Sequence, residues 1–123
     1  MTVKQLAVLC AFEIEVGGTA LEKTVTGGYC GDLLSWVMGR AQDGSAWVTI
    51  MGNENAVAVA VLADVACIVL VEGAALDEKA AARAKENGVA VLKSAMPAFA
   101  ASIAISNALG SAHAGEIAGE PCA

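Results

Sequence analysis

The stretch Ala46–Val71, with the sequence AWVTIMGNENAVAVAVLADVACIVLV, decides the fold of this chain. It contains a short apolar run at Trp47–Ile50, a polar break at Gly52–Asn55, a longer apolar run at Ala56–Ala63 and a β-branched run at Cys67–Val71. Short apolar runs between turn signals are typical of strands that are covered on both faces. We therefore expect a strand, a tight loop, a buried helix and a second strand, which together form one right-handed βαβ unit.

The run Ala56–Ala63 has two interpretations, because valine alternates with alanine there and strict alternation also suits a strand. A helix is favoured because alanine is the best helix former and because Asn53 or Asn55 can cap its start. No glycine or proline near Asp64 supplies the turn that two adjacent strands would need. The loop before this helix then leaves the carboxyl end of the first strand, where α/β sheets usually place their ligands.

Composition excludes several classes of function. The chain of 123 residues is the size of one domain, and its net charge of −6 leaves no basic stripe for nucleic acid. No apolar run reaches the ~20 residues of a membrane helix, and the first residues lack a signal-peptide pattern. We therefore expect a cytoplasmic protein that does not bind nucleic acid or enter a membrane.

The four cysteines are widely spaced and form no C-x-x-C pair, which argues against a zinc site or a redox dithiol. We expect reduced thiols, with Cys10 and Cys67 serving as small core residues.

An excess of apolar residues points to self-association. Hydrophobic residues make up 57% of the chain and charged residues only 16%, with a mean hydropathy of +0.63. The predicted helices at Asn55–Ala63 and Ala98–Leu109 have almost no polar face, so each must be covered on more than one side. The sequence therefore predicts a homodimer.

Capping and turn signals divide the rest of the chain. Thr2, Asp32 and Asp77 are expected to cap helices, and Gly27-Gly28 is expected to form a tight turn or a close backbone approach. Further strands are predicted at Glu13–Val16 and Val89–Leu92. The predicted fold is a single α/β domain over residues 1–110, a mainly parallel sheet with flanking helices, followed by a flexible tail over residues 111–123.

Carboxylates at predicted strand ends are the main candidates for chemistry. Glu54 and Glu72 both follow predicted strands, and in one crevice they could do acid–base work or hold a cation. Solvated loop carboxylates are the favoured interpretation. The nearest approach to a phosphate-binding loop, GGTALEKT, has Glu22 in place of a glycine, and the single histidine, His113, lies in the predicted tail. We therefore expect no enzyme activity, no cofactor and no metal site.

Several segments resemble the DRTGG domain family. The segments that carry the resemblance are TVTGGY at 24–29, GDLLS at 31–35, VM at 37–38, WVTI at 47–50, residues 55–62, and VAVL at 89–92 leading into Phe99. The similarity extends from about Val3 to Leu109 and is greatest to small stand-alone members. It implies a compact, non-catalytic α/β domain that usually dimerises and has a regulatory role related to that of CBS domains. In larger proteins such domains accompany phosphotransacetylases and CBS-containing pyrophosphatases, where they lie at a dimer interface near bound adenine nucleotide.

The chain departs from the family pattern at three places. Asn53-Glu54 stands where the family has Asp-Arg, Val71-Glu72-Gly73 stands where it has Thr-Gly-Gly, and Ala98 stands where it has threonine. The loss of an arginine and a hydroxyl, with the gain of two carboxylates, makes this crevice poor for phosphate.

We therefore predict a non-catalytic regulatory or protein-interaction domain that acts as a homodimer. The alternative is a small-ligand sensor that binds an adenine nucleotide or a cation. The residues assigned to its crevice are Gly27, Gly28, Gly52, Asn53, Glu54, Asn55, Glu72 and Gly73. A third hypothesis, an enzyme of unrecognised type, ranks lowest because the sequence contains no evident base–nucleophile pair.

Overall fold

The computed structural model describes residues 1–110 in full and the backbone of residues 111 and 112. Within these residues, five strands and five α-helices form, with a short 3-10 helix at Gly18–Glu22. The strands are Glu13–Val16 (β1), Gly27–Cys30 (β2), Ser45–Thr49 (β3), Cys67–Leu70 (β4) and Ala90–Lys93 (β5). The α-helices are Val3–Cys10 (α1), Leu34–Arg40 (α2), Glu54–Ala63 (α3), Glu78–Glu86 (α4) and Ala98–Ala112 (α5).

The central βαβ unit forms as the sequence predicts. β3 pairs in parallel with β4, in a register that places Trp47 beside Ile68. α3 begins where the side chain of Asn53 accepts a hydrogen bond from the backbone N–H of Ala56 at 2.9 Å. The alternating valine and alanine residues therefore form a helix rather than a strand.

The five strands form one mixed sheet in the order β1-β5-β4-β3-β2. Strands β2 to β5 run parallel, and β1, at one edge, runs antiparallel to its neighbour β5. The opposite edge is β2. The predicted fold class, a mainly parallel sheet with flanking helices, is confirmed.

Successive residues of each strand contribute alternately to two apolar layers, one on each face of the sheet. The strand residues under α1 and α5 are Ala46, Val48, Cys67, Val69, Ala90 and Leu92. Those under α2, α3 and α4 are Trp47, Ile68, Leu70 and Val91. Both faces of β3, β4 and β5 are covered, which is why the central residues of these parallel strands are apolar.

Two of the three predicted helix caps are confirmed. The hydroxyl of Thr2 accepts a hydrogen bond from the N–H of Gln5 at 3.1 Å, and the carboxylate of Asp77 accepts one from Ala80 at 2.8 Å. The prediction that Asp32 caps α2 is wrong, because its side chain bonds to residues at the end of β3 instead.

The prediction of a turn at Gly27-Gly28 is wrong as well. Both glycines lie within β2, and the register with β3 places Gly28 beside Ala46. Glycine is disfavoured in strands, so pairing with β3 overrides the local preference here.

The final helix is longer than predicted, since α5 runs to Ala112 rather than to Leu109. It includes the first two residues of the predicted tail, and the rest of that tail, with His113, lies outside the described residues. Among residues 1–112, the model contains no helix with the length and apolar character needed to cross a membrane.

Candidate functional site

A groove of about 440 Å³ runs between the edge strand β2 and helix α5, and we name it the β2–α5 groove. One wall is the strand itself, and the other is one side of α5. The helix residues that line it are Ser102, Ile105, Ser106 and Leu109, and Thr26 and Val48 complete the lining. Positions separated by three, four and seven residues lie on the same side of a helix, so these four side chains form one stripe toward the strand.

The groove exists because β2 has very little side-chain volume on the α5 side. The register places Gly28 and Cys30 beside Ala46 and Val48, which belong to the layer under α5. A Cβ built on Gly28 would lie 3.7 Å from Cγ2 of Ile105, an ordinary van der Waals contact. A larger residue at this position would therefore fill part of the groove without moving the backbone.

The hydroxyl of Ser102 is the unusual polar group of this groove. Its Oγ atom is buried and has no hydrogen-bond partner among the described residues. A buried polar group without a partner costs about 1–3 kcal/mol, and such groups are rare in native folds. Ser106 lies one turn further along the same stripe and is exposed.

A second pocket, of about 330 Å³, lies at the carboxyl ends of the parallel strands, and we name it the carboxyl-edge pocket. It meets the β2–α5 groove at Cys30 and Val48, which line both. The other lining residues are Asp32, Thr49, Ile50, Val71, Glu72 and Ala98. Open α/β sheets usually bind ligands at this end of their strands.

Asp32 connects the end of β2 to the end of β3. Its Oδ1 atom accepts hydrogen bonds from the hydroxyl of Thr49 at 2.8 Å and from the backbone N–H of Ile50 at 3.0 Å. Beside it, the indole N–H of Trp47 donates to the carbonyl oxygen of Gly31 at 2.8 Å. These bonds hold the junction between β2 and α2 against β3, which explains why Asp32 does not cap α2.

Glu72 joins the end of β4 to the start of α5. Its Oε2 atom accepts a hydrogen bond from the N–H of Ala98, the first residue of the helix, at 3.0 Å. A carboxylate at this position also interacts favourably with the helix dipole. The backbone of Glu72 is left-handed, with φ of 61°, which costs a non-glycine residue about 1 kcal/mol or more. The helix cap offsets that strain.

The structure separates Glu54 from Glu72. Asn53 caps α3, and Glu54 lies in its first turn with Oε2 3.5 Å from Nη2 of Arg83. Glu72 lines the carboxyl-edge pocket, whereas neither Glu54 nor the exposed Asn55 lines it. In the part of the chain that the structure describes, no group of three or more His, Cys, Asp or Glu side chains could hold a metal ion.

Gly52 is the position where the chain makes its closest backbone approach. A Cβ there would overlap the carbonyl oxygen of Ala75 and would lie 3.1 Å from Cα of Leu76. The backbone N–H of Asp77 donates to the carbonyl oxygen of Gly52 at 2.9 Å. Gly52 therefore packs the loop after β3 against the loop that leads into α4. Neither pocket includes it.

The cysteines within residues 1–110 differ in environment. Cys10 and Cys67 are buried in the layer under α1 and α5, so the prediction that they act as core residues is confirmed. Burial raises the pKa of the Cys67 thiol to about 12 and also raises the pKa of Cys10. Both thiols therefore stay protonated and unreactive at neutral pH. Cys30 is exposed and lines both the groove and the pocket.

Four exposed apolar side chains belong to, or continue, the segments that line the carboxyl-edge pocket. Phe99, at the start of α5, is 78% exposed, and Ile103 lies one turn further along the helix and is also exposed. Leu33 and Ile50, which follow β2 and β3, are exposed as well. We name these four residues the edge patch. Exposed apolar side chains grouped at the rim of a pocket are typical of an interaction surface.

The family model of the DRTGG domain matches residues 19–108. The chain belongs to the DRTGG domain family. The resemblance seen in the sequence is therefore confirmed. Among curated proteins, none has a sequence that matches this chain.

The fold is also similar to a solved structure, the CBS and DRTGG domains of the regulatory region of Clostridium perfringens pyrophosphatase complexed with the activator diadenosine tetraphosphate. The TM-score is 0.66 and the sequence identity 15%, over 85% of this chain and 45% of that chain. Our chain thus spans less than half of the length of that regulatory region. At this identity the likeness establishes a shared fold.

The family pattern has a physical explanation at the end of β4. Glu72 and Gly73 lie where the family has two glycines, and both have a left-handed backbone, with φ of 61° and 72°. Glycine adopts this conformation without steric cost, which accounts for the family preference. In this chain the first glycine is replaced by a glutamate that caps α5.

Sequence reasoning missed Ser102, Ser106 and Thr49. The two serines did carry a signal, because they lie four residues apart in a mostly apolar helix and so share one side of it. Thr49 carried no sequence signal, since its hydrogen-bond partner Asp32 is 17 residues away and the contact depends on the pairing of β2 with β3.

Proposed function

We propose that this DRTGG domain is a non-catalytic regulatory domain that acts as a homodimer, in which the edge patch of one copy contacts the edge patch of its partner. The observation that carries the proposal is the exposure of Phe99 and Ile103, on a side of α5 that the rest of the described chain leaves uncovered. A twofold interface uses the same surface on both copies, so each copy would contribute its own edge patch. We place the dimer in the cytoplasm, where the exposed Cys30 stays reduced.

The edge patch carries enough apolar surface to support association. Full burial of an exposed Phe or Ile side chain contributes ~1.5–3 kcal/mol. Phe99 and Ile103 from two copies therefore contribute on the order of 6 kcal/mol, which exceeds the lower estimates, ~4 kcal/mol, of the entropy lost on binding. Leu33 and Ile50 add to this total.

A regulatory rather than catalytic role is supported by what the polar groups of the pocket do. Asp32 accepts hydrogen bonds from Thr49 and Ile50, and Glu72 accepts one from the start of α5. Both carboxylates thus join secondary-structure elements.

The test of the dimer is light scattering on the full chain over the micromolar range. The expected mass is twice the 12.3 kDa of one chain. A mass of one chain throughout this range would overturn the proposal, because the apolar patch would then have no partner copy.

A second candidate function is a small-ligand sensor, which the continuity of the groove with the carboxyl-edge pocket at Cys30 and Val48 favours. Its site would be the β2–α5 groove at Gly27 and Gly28, extended to Glu72 by the carboxyl-edge pocket. The Clostridium perfringens regulatory region was solved with an adenine dinucleotide activator, which makes adenine nucleotides the first compounds to examine.

Thermal unfolding with a panel of adenine nucleotides and divalent cations tests this candidate. A ligand present at about 100 times its dissociation constant should raise the free energy of unfolding by about 2.7 kcal/mol. If one compound stabilises the wild type, Ser106→Ala should weaken its effect. If no compound shifts the melting temperature, the sensor hypothesis fails for this panel and the dimer proposal is unaffected.

A further inference from the structure

The two edges of the sheet are protected very differently. β1 carries Glu13 and Glu15, and its pairing with β5 is interrupted by a bulge between Ile14 and Val16. Charged side chains and bulges are the usual features that prevent a further strand from adding to a sheet edge. β2 has the sequence GGYC, with no charge and no proline, and it pairs with β3 at four consecutive positions without a bulge. The β2 edge is therefore open to strand addition.

We propose that an extended segment of a partner protein adds to the sheet beside β2 and places every second side chain in the β2–α5 groove. An edge strand presents unpaired backbone N–H and C=O groups, which supply hydrogen bonds to an added strand. Successive side chains of a strand point to opposite faces, so alternate side chains of the segment would enter the groove beside α5. This site would bind the partner that the proposed interaction role requires, so the strand-addition proposal rests on that role.

The lining of the groove defines the chemistry of the segment. Its apolar residues are Val48, Ile105 and Leu109, and none of its lining residues is charged. Small apolar or β-branched side chains fit such a surface. The exposed hydroxyl of Ser106 adds one polar group to the lining, which can form a hydrogen bond with a threonine or serine of the segment.

Charge complementarity defines one end of the segment. At Cys30 the groove opens into the carboxyl-edge pocket, where Asp32 and Glu72 contribute two carboxylates. Both residues are exposed, and each uses one carboxylate oxygen in the hydrogen bonds described above. A lysine or arginine at this end of the segment would meet negative charge, and an acidic residue would be repelled. The segment is thus uncharged at its centre and basic where it reaches Asp32.

This site is separate from the proposed dimer interface. Phe99 and Ile103 belong to one stripe of α5, whereas Ser102 and Ser106 belong to the stripe that faces β2. If no strand adds to β2, the mass measured by light scattering is unaffected. If the protein is monomeric, a binding experiment can still show whether the groove accepts a strand. The two proposals can therefore fail independently.

The test is a nuclear magnetic resonance titration of the isotope-labelled full chain with synthetic heptapeptides. The probes are TVTVTVK and KVTVTVT, which place the lysine at either end because the direction of the added strand is open. We expect one of them to shift the backbone amides of β2 and of the groove stripe of α5. The matched peptide with glutamate in place of lysine should bind about tenfold more weakly.

Matched glycine variants connect any binding to the groove. Gly28→Val should weaken peptide binding about tenfold, because its side chain enters the groove beside Ile105. Gly39→Val makes the same change in α2, where a Cβ meets nothing within 4 Å and which lines neither the groove nor the carboxyl-edge pocket, and it should bind as the wild type does. Ser102→Leu fills the groove from the helix and provides a second variant if Gly28→Val does not fold.

Three outcomes would overturn the proposal. The first is the absence of amide shifts with either peptide at millimolar concentration. The second is equal weakening by Gly39→Val and Gly28→Val. The third is a set of β2 shifts that appears on dilution of the protein alone, since the edge would then be paired with a second copy rather than with a partner segment.

Discussion

Substitution of Gly52 by alanine tests how the loop after β3 is held. A Cβ at this position would overlap the carbonyl oxygen of Ala75 and would lie 2.9 Å from its carbonyl carbon. Both are backbone atoms, so no side-chain rotation can relieve the contact and one of the two loops must move. That movement would also break the 2.9 Å hydrogen bond from the N–H of Asp77 to the carbonyl oxygen of Gly52.

The expected magnitude follows from these contacts. Overpacking in a close-packed region costs about 1–3 kcal/mol, and a lost backbone hydrogen bond costs about 1 kcal/mol. Alanine restricts the unfolded chain more than glycine does, and this effect stabilises the folded state by about 0.5 kcal/mol. Gly52→Ala should therefore lower the free energy of unfolding by about 2–3 kcal/mol.

Urea denaturation followed by circular dichroism measures this change. With a slope of about 1.5 kcal/mol per molar urea, the midpoint should fall by roughly 1.5–2 M. Gly27→Ala is the matched control, because a Cβ there meets nothing within 4 Å, and it should stay within about 0.5 kcal/mol of the wild type. Equal midpoints for Gly52→Ala and Gly27→Ala would refute the loop packing described above.

Three further changes test the pocket and the core. Thr49→Val removes the hydroxyl that donates to Asp32 and should lower the free energy of unfolding, measured by urea denaturation, by about 1.5 kcal/mol. An unchanged free energy of unfolding would show that this hydrogen bond does not hold the strand ends together. Glu72→Ala removes the cap of α5 but keeps a non-glycine residue in the left-handed conformation, so it should lower the free energy of unfolding by about 1 kcal/mol. Glu72→Gly removes the cap and the strain together, so its free energy of unfolding should stay within about 0.5 kcal/mol of the wild type. Equal losses for the two variants would contradict the strain argument. The pKa of Cys67 rises from 9.0 to about 12 on folding, so the unfolded chain loses this proton first. The contribution of Cys67 to stability should be constant below pH 9 and fall above it by about 1.4 kcal/mol per pH unit; Cys67→Ala should show a smaller fall than the wild type in parallel urea titrations at pH 8 and 10, because the buried Cys10 thiol, whose pKa is also raised, remains.

The central unit could be predicted because its signals are local and agree with one another. Short apolar runs at β3 and β4 indicate buried strands, and Asn53 marks the start of the helix between them. The cap at Asp77 and the left-handed Gly88, with φ of 65°, likewise depend on neighbours within a few residues.

The predictions that were wrong involve contacts between distant parts of the chain. Two glycines in sequence suggest a turn, yet pairing with β3 makes Gly27 and Gly28 part of an edge strand. Asp32 follows the local rule for a helix cap, but Thr49, 17 residues away, provides a competing donor. The glycine that makes a close approach is Gly52, whose neighbour Ala75 belongs to another loop. No sequence pattern reports such a contact before the sheet order is known.

The candidate site divides in the same way. Glu72 was selected because it follows a strand, and it does line the carboxyl-edge pocket. Glu54 was selected for the same reason, but it is paired with Arg83 on α4, because α3 begins beside it and directs it away from that pocket. The position of a carboxylate after a strand can thus be predicted, whereas the direction of its side chain depends on the helix packed next to it.

Light scattering of three proteins tests the central claim, self-association through the edge patch, most directly. The proteins are the wild type, Phe99→Asp and Val8→Asp; Phe99 and Val8 are 78% and 72% exposed, and only Phe99 belongs to the edge patch. The account predicts twice the 12.3 kDa chain mass for the wild type and for Val8→Asp, and the single-chain mass for Phe99→Asp. A single-chain mass for the wild type, or an unchanged double mass for Phe99→Asp, would contradict it.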